Sequence, residues 1–169
     1  MNKLLFISTL ILIFAVTACK FSDQKSNTDS DQQKEKKELV RKLLIEDYDF
    51  AVLDSNNKPI PYNKAIYHRG DEVFMVLKNV GRFARGKDSL NHAEMKVEIF
   101  DAIGQRISIR ENLFGPDGHS DFNDNILRKP YGSYETNLDD KIGKHSFKVT
   151  IYDLVSGDST SVSDDFFIE

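Results

Sequence analysis

Two hydrophobic patterns divide the chain. Near its start, residues 4–16 form an apolar run that only Ser8 and Thr9 interrupt. From Ile45 onward, apolar positions recur at every second residue, and clusters of turn-forming residues separate the runs. A period of two is typical of strands that bury one face, whereas an amphipathic helix would show a period between three and four. The pattern predicts an all-β domain over residues 45–169.

The first strands follow from these runs. Residues 48–53 are predicted as a strand that ends at a turn cluster of Asp, Ser and Asn. Residues 60–67 are predicted as an edge segment, because Pro59 and Pro61 cannot donate hydrogen bonds to a ladder. Residues 72–80 are apolar on both sides in their middle, which predicts a central strand.

The later strands show clearer alternation. Met95, Val97 and Ile99 alternate with charged residues, and a short connection then leads to a strand in which Ile107 and Ile109 are expected to face the core. Its polar residues, namely Arg106, Ser108 and Arg110, are expected to face water. The runs 143–153 and 159–169 predict the last hairpin. Residues 112–130 lack periodicity and predict a long loop.

The last hairpin resembles that of immunoglobulin-like and fibronectin-type β-sandwiches. It reads Gly143-x-His145-x-Phe147-x-Val149, followed by a short turn and a final strand. In such domains a corner tyrosine bonds back to the backbone; His145 occupies that position here, and Phe147 stands where antibody domains place a cysteine. The resemblance implies a single immunoglobulin-like antiparallel β-sandwich, although a jelly roll or a transthyretin-like sandwich would give nearly the same pattern.

The start of the chain has the order of a signal peptide. Lys3 precedes the apolar run, which is shorter than the roughly 20 residues that a membrane-spanning helix needs. The tetrapeptide Val16-Thr17-Ala18-Cys19 resembles the lipobox of bacterial lipoproteins. In that family the cysteine is acylated and the bond before it is cut, which implies a signal peptide over residues 1–18. An ordinary secretory signal is the alternative.

The lipobox resemblance implies that Cys19 carries the membrane anchor. Cys19 is the only cysteine, so no intrachain disulfide can form. Two or three acyl chains hold a protein durably on a bilayer, whereas one holds it marginally. We therefore expect a protein outside the cytoplasm in the bacterial cell envelope, at the outer membrane or the cell surface.

Residues 19–44 are expected to be a tether. The stretch after Cys19 is polar and includes a single aromatic residue, Phe21, so it cannot bury enough apolar surface to offset the entropy of ordering. Leucine and valine at helical spacing over residues 32–44 are compatible with a short helix.

Charge argues against two classes of partner. Lys and Arg number 23 against 27 Asp and Glu, for a formal net charge of −4. A mildly acidic protein of mixed charge has no basic field for nucleic acid or for anionic lipid. We expect no nucleic-acid partner, and contact with the membrane through the lipid on Cys19.

No catalytic constellation is predicted. No serine lies in a Gly-x-Ser-x-Gly motif, and the four histidines lack the short spacing of a zinc site. One loop concentrates oxygen ligands of the kind that Ca²⁺ takes, namely Asp117, Asp121, Asn123 and Asp124. Its spacing is not that of an EF-hand, so we weigh a calcium site against a plain solvated loop.

Two further segments offer residue types that carry binding energy. Arg82, Phe83 and Arg85 lie in one loop, and Arg together with aromatic side chains dominates many interfaces. Tyr131 and Tyr134 could stack on a sugar ring. The alternatives are a charged hairpin tip that aids solubility and tyrosines that seal the rim of the sandwich.

Together these features favour a non-enzymatic, lipid-anchored module that contacts an envelope protein or a glycan through its loops. One alternative is a periplasmic accessory lipoprotein that docks on a larger envelope complex. An alternative of another class is a small metal-dependent or hydrolytic enzyme.

Overall fold

The protein folds as an all-β structure. A computed structural model describes residues 42–115, 119–120, 122 and 125–169, and these residues form strands and turns without an α-helix. No described residue belongs to a helix long and apolar enough to cross a membrane. In chain order the strands are β1 Asp47–Leu53, β2 Pro59–Pro61, β3 Ile66–Tyr67, β4 Glu72–Lys78, β5 Val80–Gly81, β6 Asn91–Phe100, β7 Arg106–Arg110, β8 His119–Ser120, β9 Ile126–Leu127, β10 Tyr131–Glu135, β11 Gly143–Asp153 and β12 Ser159–Ile168.

Two sheets make up the sandwich. The smaller has the order β10-β4-β1-β2 and the larger the order β3-β12-β11-β6-β7. Neighbouring strands are antiparallel except for β3, which runs parallel to β12. The short strands β5 and β9 pair with each other, and β8 pairs with the start of β6.

This order is that of an immunoglobulin-like sandwich. Strands β1, β4 and β10 take the places of strands A, B and E in one sheet, while β7, β6, β11 and β12 take those of C′, C, F and G in the other. The immunoglobulin-like fold that the last hairpin implied is therefore confirmed.

Aromatic side chains fill the core between the sheets. Phe147 of β11 and Phe166 of β12 pack edge-on or tilted against Phe50 of β1, with ring centroids 6.2–6.3 Å apart. Tyr67 is fully buried beside them and donates its hydroxyl to the carbonyl of Ala51. Offset and edge-to-face rings are the favoured geometries of aromatic pairs. Phenylalanines thus occupy the centre that a disulfide and a tryptophan occupy in antibody domains.

His145 occupies the corner at the start of β11. Its side chain is buried against Phe166, at 5.5 Å between ring centroids, and its Nδ1 lies 3.1 Å from the carbonyl oxygen of Gly143. The ring therefore bonds to the local backbone, as the tyrosine at this corner does in immunoglobulin-like domains.

The packed domain includes residues before Ile45. Leu43 is 2% exposed and belongs to the core, and Leu44 forms an antiparallel bridge with Gly81. Neither residue is helical, although the sequence assigned both to the tether and its possible short helix. The signal peptide, Cys19 and the remainder of the tether lie outside the described residues.

Most strand predictions are confirmed. β1, β6, β11 and β12 match the alternating runs, β4 is internal to its sheet, and β2 is an edge strand. The prediction for residues 112–130 was incomplete, because β8 and β9 lie within them. The sequence analysis also gave no strand at Tyr131–Glu135, since glycine stands at one of its two inward positions and breaks the alternation.

The prediction that Ile107 and Ile109 of β7 face the core is wrong, because both are exposed, whereas Arg106 is exposed as predicted. Arg110 pairs with Val97, whose side chain is buried, so Arg110 lies on the inner side of the sheet. Ile109 pairs with Glu98 on the outer side and is 42% exposed. A register shift between Ile99 and Phe100 accompanies this arrangement. Ile109 thus lies on the face of the larger sheet that is turned away from the core, so no facing sheet covers it.

Candidate functional site

A groove lies between the edge strands β10 and β7. Each ends the order of its own sheet, and the guanidinium of Arg110 in β7 reaches the main-chain carbonyl and the hydroxyl of Ser133 in β10, both at 3.3 Å. The groove has a volume of about 380 Å³, within the range of small-ligand sites. It is lined by Met95, Arg110, Leu113, Phe114, Lys129, Pro130, Tyr131, Gly132 and Ser133.

The backbone of β10 forms one wall of the groove. The carbonyl of Pro130 accepts a hydrogen bond from the Leu77 amide of β4 at 2.8 Å, and the amide of Thr136 donates to Asp71 at 3.0 Å. Main-chain groups alternate in direction along an antiparallel strand, so the even-numbered residues face β4. The amides and carbonyls of Tyr131, Ser133 and Glu135 therefore point away from the sheet.

Gly132 allows β10 to approach the larger sheet closely. A Cβ atom at this position would lie 2.4 Å from Cγ2 of Val97 and 3.6 Å from the ring of Phe147. Only hydrogen fits in the first of these spaces. The glycine that hid β10 from the sequence analysis is thus the residue that lets this strand pack there.

Two cations line the groove. Arg110 enters from the inner side of β7. Lys129 lies two residues before β10, and it is exposed and without an ion pair to any residue that the structure describes. None of the described lining residues is acidic, although the protein as a whole has a net charge of −4. The described lining of the groove therefore carries positive charge, whereas the molecule as a whole is negative.

Apolar side chains form the opposite part of the groove. Leu113 and Phe114 are half-buried and pack against the core, and the amide of Leu113 is tied to the carbonyl of Met95 at 3.2 Å. Pro130 continues this apolar surface at the start of β10. Hydrogen-bond donors thus face a hydrophobic wall, an arrangement common to ligand sites.

The two tyrosines proposed as ligand contacts lie in different environments. Tyr131 pairs with Val76 on the outer side of the smaller sheet, where its ring contacts Phe74 at 5.8 Å and is 52% exposed. Tyr134 is buried and donates its hydroxyl to Asp140 at 2.7 Å. Burial and then the Asp140 carboxylate raise the pKa of Tyr134. Tyr131 can meet a ligand, whereas Tyr134 is a core residue.

The loop of Arg82, Phe83 and Arg85 is tied to the domain. Phe83 is 2% exposed and packs on Phe122 at 5.1 Å between centroids, so it offers no ring to a ligand. Arg82 and Arg85 are exposed, and Arg85 donates to the carbonyl of Ser89. Neither arginine lines the groove.

Buried polar groups hold this loop. Asp153 accepts a hydrogen bond from the amide of Ala84 at 2.7 Å, and the side-chain amide of Asn91 donates to the carbonyl of Ala84 at 3.0 Å. Asn91 also bonds to Asn125 at 3.2 Å. These contacts give the loop a structural role that the sequence analysis did not assign to it.

The calcium hypothesis falls on residues outside the described part of the chain. The structure does not describe the four proposed ligands, namely Asp117, Asp121, Asn123 and Asp124, so the calcium site stays a prediction. Within the described residues no group of three or more His, Cys, Asp or Glu side chains is placed to hold a metal.

Sequence reasoning missed Arg110, Lys129 and the edge of β10. The one available signal was the alternation of Arg106, Ser108 and Arg110, which was assigned to the solvent side. A correct assignment needs the register of β7 on β6, which pairing across the sheet determines.

Comparisons with known proteins give a structural neighbour. The solved structure titled "Crystal structure of the C-terminal domain of wzt" is 10% identical in sequence, with a TM-score of 0.46, and the match covers 75% of this chain and 73% of that chain. The chain matches no protein-family model and no curated protein sequence.

Proposed function

We propose that this protein is a non-enzymatic binding module of the bacterial cell envelope, anchored by a lipid on Cys19, and that it binds its partner in the groove between β10 and β7. The observation that carries this proposal is the groove itself. It combines outward-facing main-chain groups, two cations and an apolar wall, with no acidic residue among its described lining residues.

The rest of the chain is compatible with this role. The sequence between Cys19 and the first described residue is polar and long enough to let a small domain reach partners near its membrane. The groove lies along the sheet edges, so the binding surface differs from the loop surface that the sequence suggested. Arg82 and Arg85 are exposed loop residues that lie outside the groove.

Photo-crosslinking in living cells tests the proposal. A photoreactive phenylalanine analogue replaces Tyr131 in the full-length, membrane-anchored protein, and the matched control carries it at Ile60, an exposed residue of the opposite edge strand β2. We expect a discrete adduct from position 131 and none from position 60. The adduct should become much weaker when Lys129→Glu is added, because the substitution reverses one of the two charges in the groove.

The identity of the adduct distinguishes a protein from a glycan. Equal adducts from positions 131 and 60, or no adduct from 131, would contradict the groove as the binding site.

A further inference from the structure

We infer that the ligand of the groove is an extended, acidic peptide segment of an envelope protein, which adds as a strand to the open edge of β10. This inference rests on the proposed function and specifies the class of its ligand. Strand addition is a common mode of peptide recognition, in which main-chain hydrogen bonds give affinity and side-chain contacts give specificity.

The edge of β10 provides the hydrogen-bonding pattern of a missing strand. Tyr131, Ser133 and Glu135 present amides and carbonyls at every second residue, on the side away from β4. This repeat of about 6.6–6.8 Å matches the main chain of another strand. The topology pairs β10 with β4 alone, so the edge is not used within the described sheet.

Natural proteins block exposed edges with charges, prolines or covering loops. Pro130 precedes β10 and Glu135 ends it, and among the residues that the structure describes Arg110 alone bonds to the middle of its open edge, through two hydrogen bonds to Ser133. At 3.3 Å these bonds are long for N–H···O contacts. They can be exchanged for bonds to an incoming strand at small cost.

Charge selects an acidic segment. An incoming amide donates to the carbonyl of Ser133, which frees the guanidinium of Arg110 to pair with a carboxylate of the peptide. A bidentate bond between guanidinium and carboxylate, in which both groups are charged, is stronger than the bond from guanidinium to a neutral oxygen that it replaces. Lys129 can hold a second carboxylate at the end of the groove. Leu113 and Phe114 then receive apolar side chains from the strand.

Selection from a library of random nine-residue peptides provides the probe. The full-length protein, purified in detergent, is the target, and enriched peptides are expected to combine acidic residues with β-branched residues. Binding of a selected peptide should weaken about tenfold in Lys129→Glu, the equivalent of losing one charge contact. It should be unchanged in Lys58→Glu, a matched control on the exposed β1–β2 turn.

Alternate N-methylation of that peptide tests the strand itself. In one register the methyl groups replace the hydrogens of amides that point at β10 and so remove their hydrogen bonds. In the other register they replace the hydrogens of amides that point away from β10. We expect a loss of about tenfold or more in the first register and little change in the second. Equal effects in both registers would overturn strand addition.

Different results would contradict the peptide ligand and the binding site. An adduct at position 131 together with no enriched peptide, or with an oligosaccharide as the bound partner, would overturn the peptide and leave the binding module. The absence of an adduct at position 131 contradicts the binding site as a whole.

Discussion

Gly132 shows how one residue shapes the groove. It lies on the inner side of β10 opposite Met75, at a position where any side chain would meet Val97 of the other sheet. Protein interiors are close-packed, so a methyl group placed there must displace its neighbours. The residue thus couples the position of β10 to the packing of both sheets.

We expect Gly132→Ala to destabilise the domain by about 1–3 kcal/mol, because overpacking forces shifts in a well-packed core. Urea unfolding provides the measurement. In a Val97→Ala background, which removes the methyl that the new Cβ would meet, the same substitution should cost clearly less. Simple addition of the two costs would show that the contact with Val97 is not the cause.

At the scale of single elements, the hairpin of β6 and β7 contains two buried carboxylates, those of Glu98 and Asp101. Glu98 lies 3.0 Å from Arg106, 3.4 Å from Lys96 and 3.8 Å from Lys148 of β11. Burial alone would raise the pKa of Glu98, but the Arg106 hydrogen bond and the two lysines outweigh it and hold the pKa below its usual value.

Asp101 closes the same hairpin. Burial opposes its charge, yet the amides of Gln105 and Ile103 and the ammonium of Lys141 lower the pKa of its carboxyl. Both carboxylates therefore favour the folded state only when they are ionised.

Stability should fall in acid for this reason. Groups with a lowered pKa in the folded state give their full stabilisation above the unfolded value of about 4, and lose it as the pH falls through the lower folded value. We expect the urea midpoint to be nearly flat from pH 7 to 5 and to drop below about pH 4. Glu98→Gln combined with Asp101→Asn should make that drop shallower, with the remainder due to the lowered pKa values of Asp47, Asp54 and Asp88.

An equally steep drop in the double variant would show that these two carboxylates do not carry the acid sensitivity. A matched control is Asp158→Asn, at an exposed residue whose side chain makes no hydrogen bond in the described structure.

At the scale of the whole molecule, a packed sandwich follows a segment whose sequence predicts a lipid anchor. The described core begins at Leu43, well after Cys19, so the two parts are separable in sequence. The groove is part of the domain, and the predicted anchor on Cys19 would determine where that domain can meet a partner.

Cys19→Ser should remove the acyl acceptor and move the protein out of the membrane fraction, because two or three chains are needed for durable anchoring. Metabolic labelling with palmitate and fractionation of cells provide the measurement. Ser22→Ala, three residues beyond the lipobox, should behave as the unmodified protein. Membrane binding that persists without label in Cys19→Ser would contradict the lipid anchor.

The sequence by itself determined the fold class and most strands. Alternating runs such as residues 143–153 specify which face of a strand is buried, and this information is local because side chains alternate between the two faces of any strand. The same alternation, together with the turn residues between runs, was sufficient for β1, β6, β11 and β12, and a run that is apolar on both sides was sufficient for β4.

Only the tertiary structure decided where the groove lies and what lines it. The sequence pattern places Gly132 in a loop, and only its contact with Val97 of the other sheet shows why glycine stands in a strand there. The side of β7 on which Arg110 lies depends on the register of β7 against β6. Phe83 belongs to the core because of Phe122, nearly 40 residues away in the chain. Register and contacts between sheets bring together residues that are distant in sequence, so no local pattern of hydrophobic and polar positions contains them.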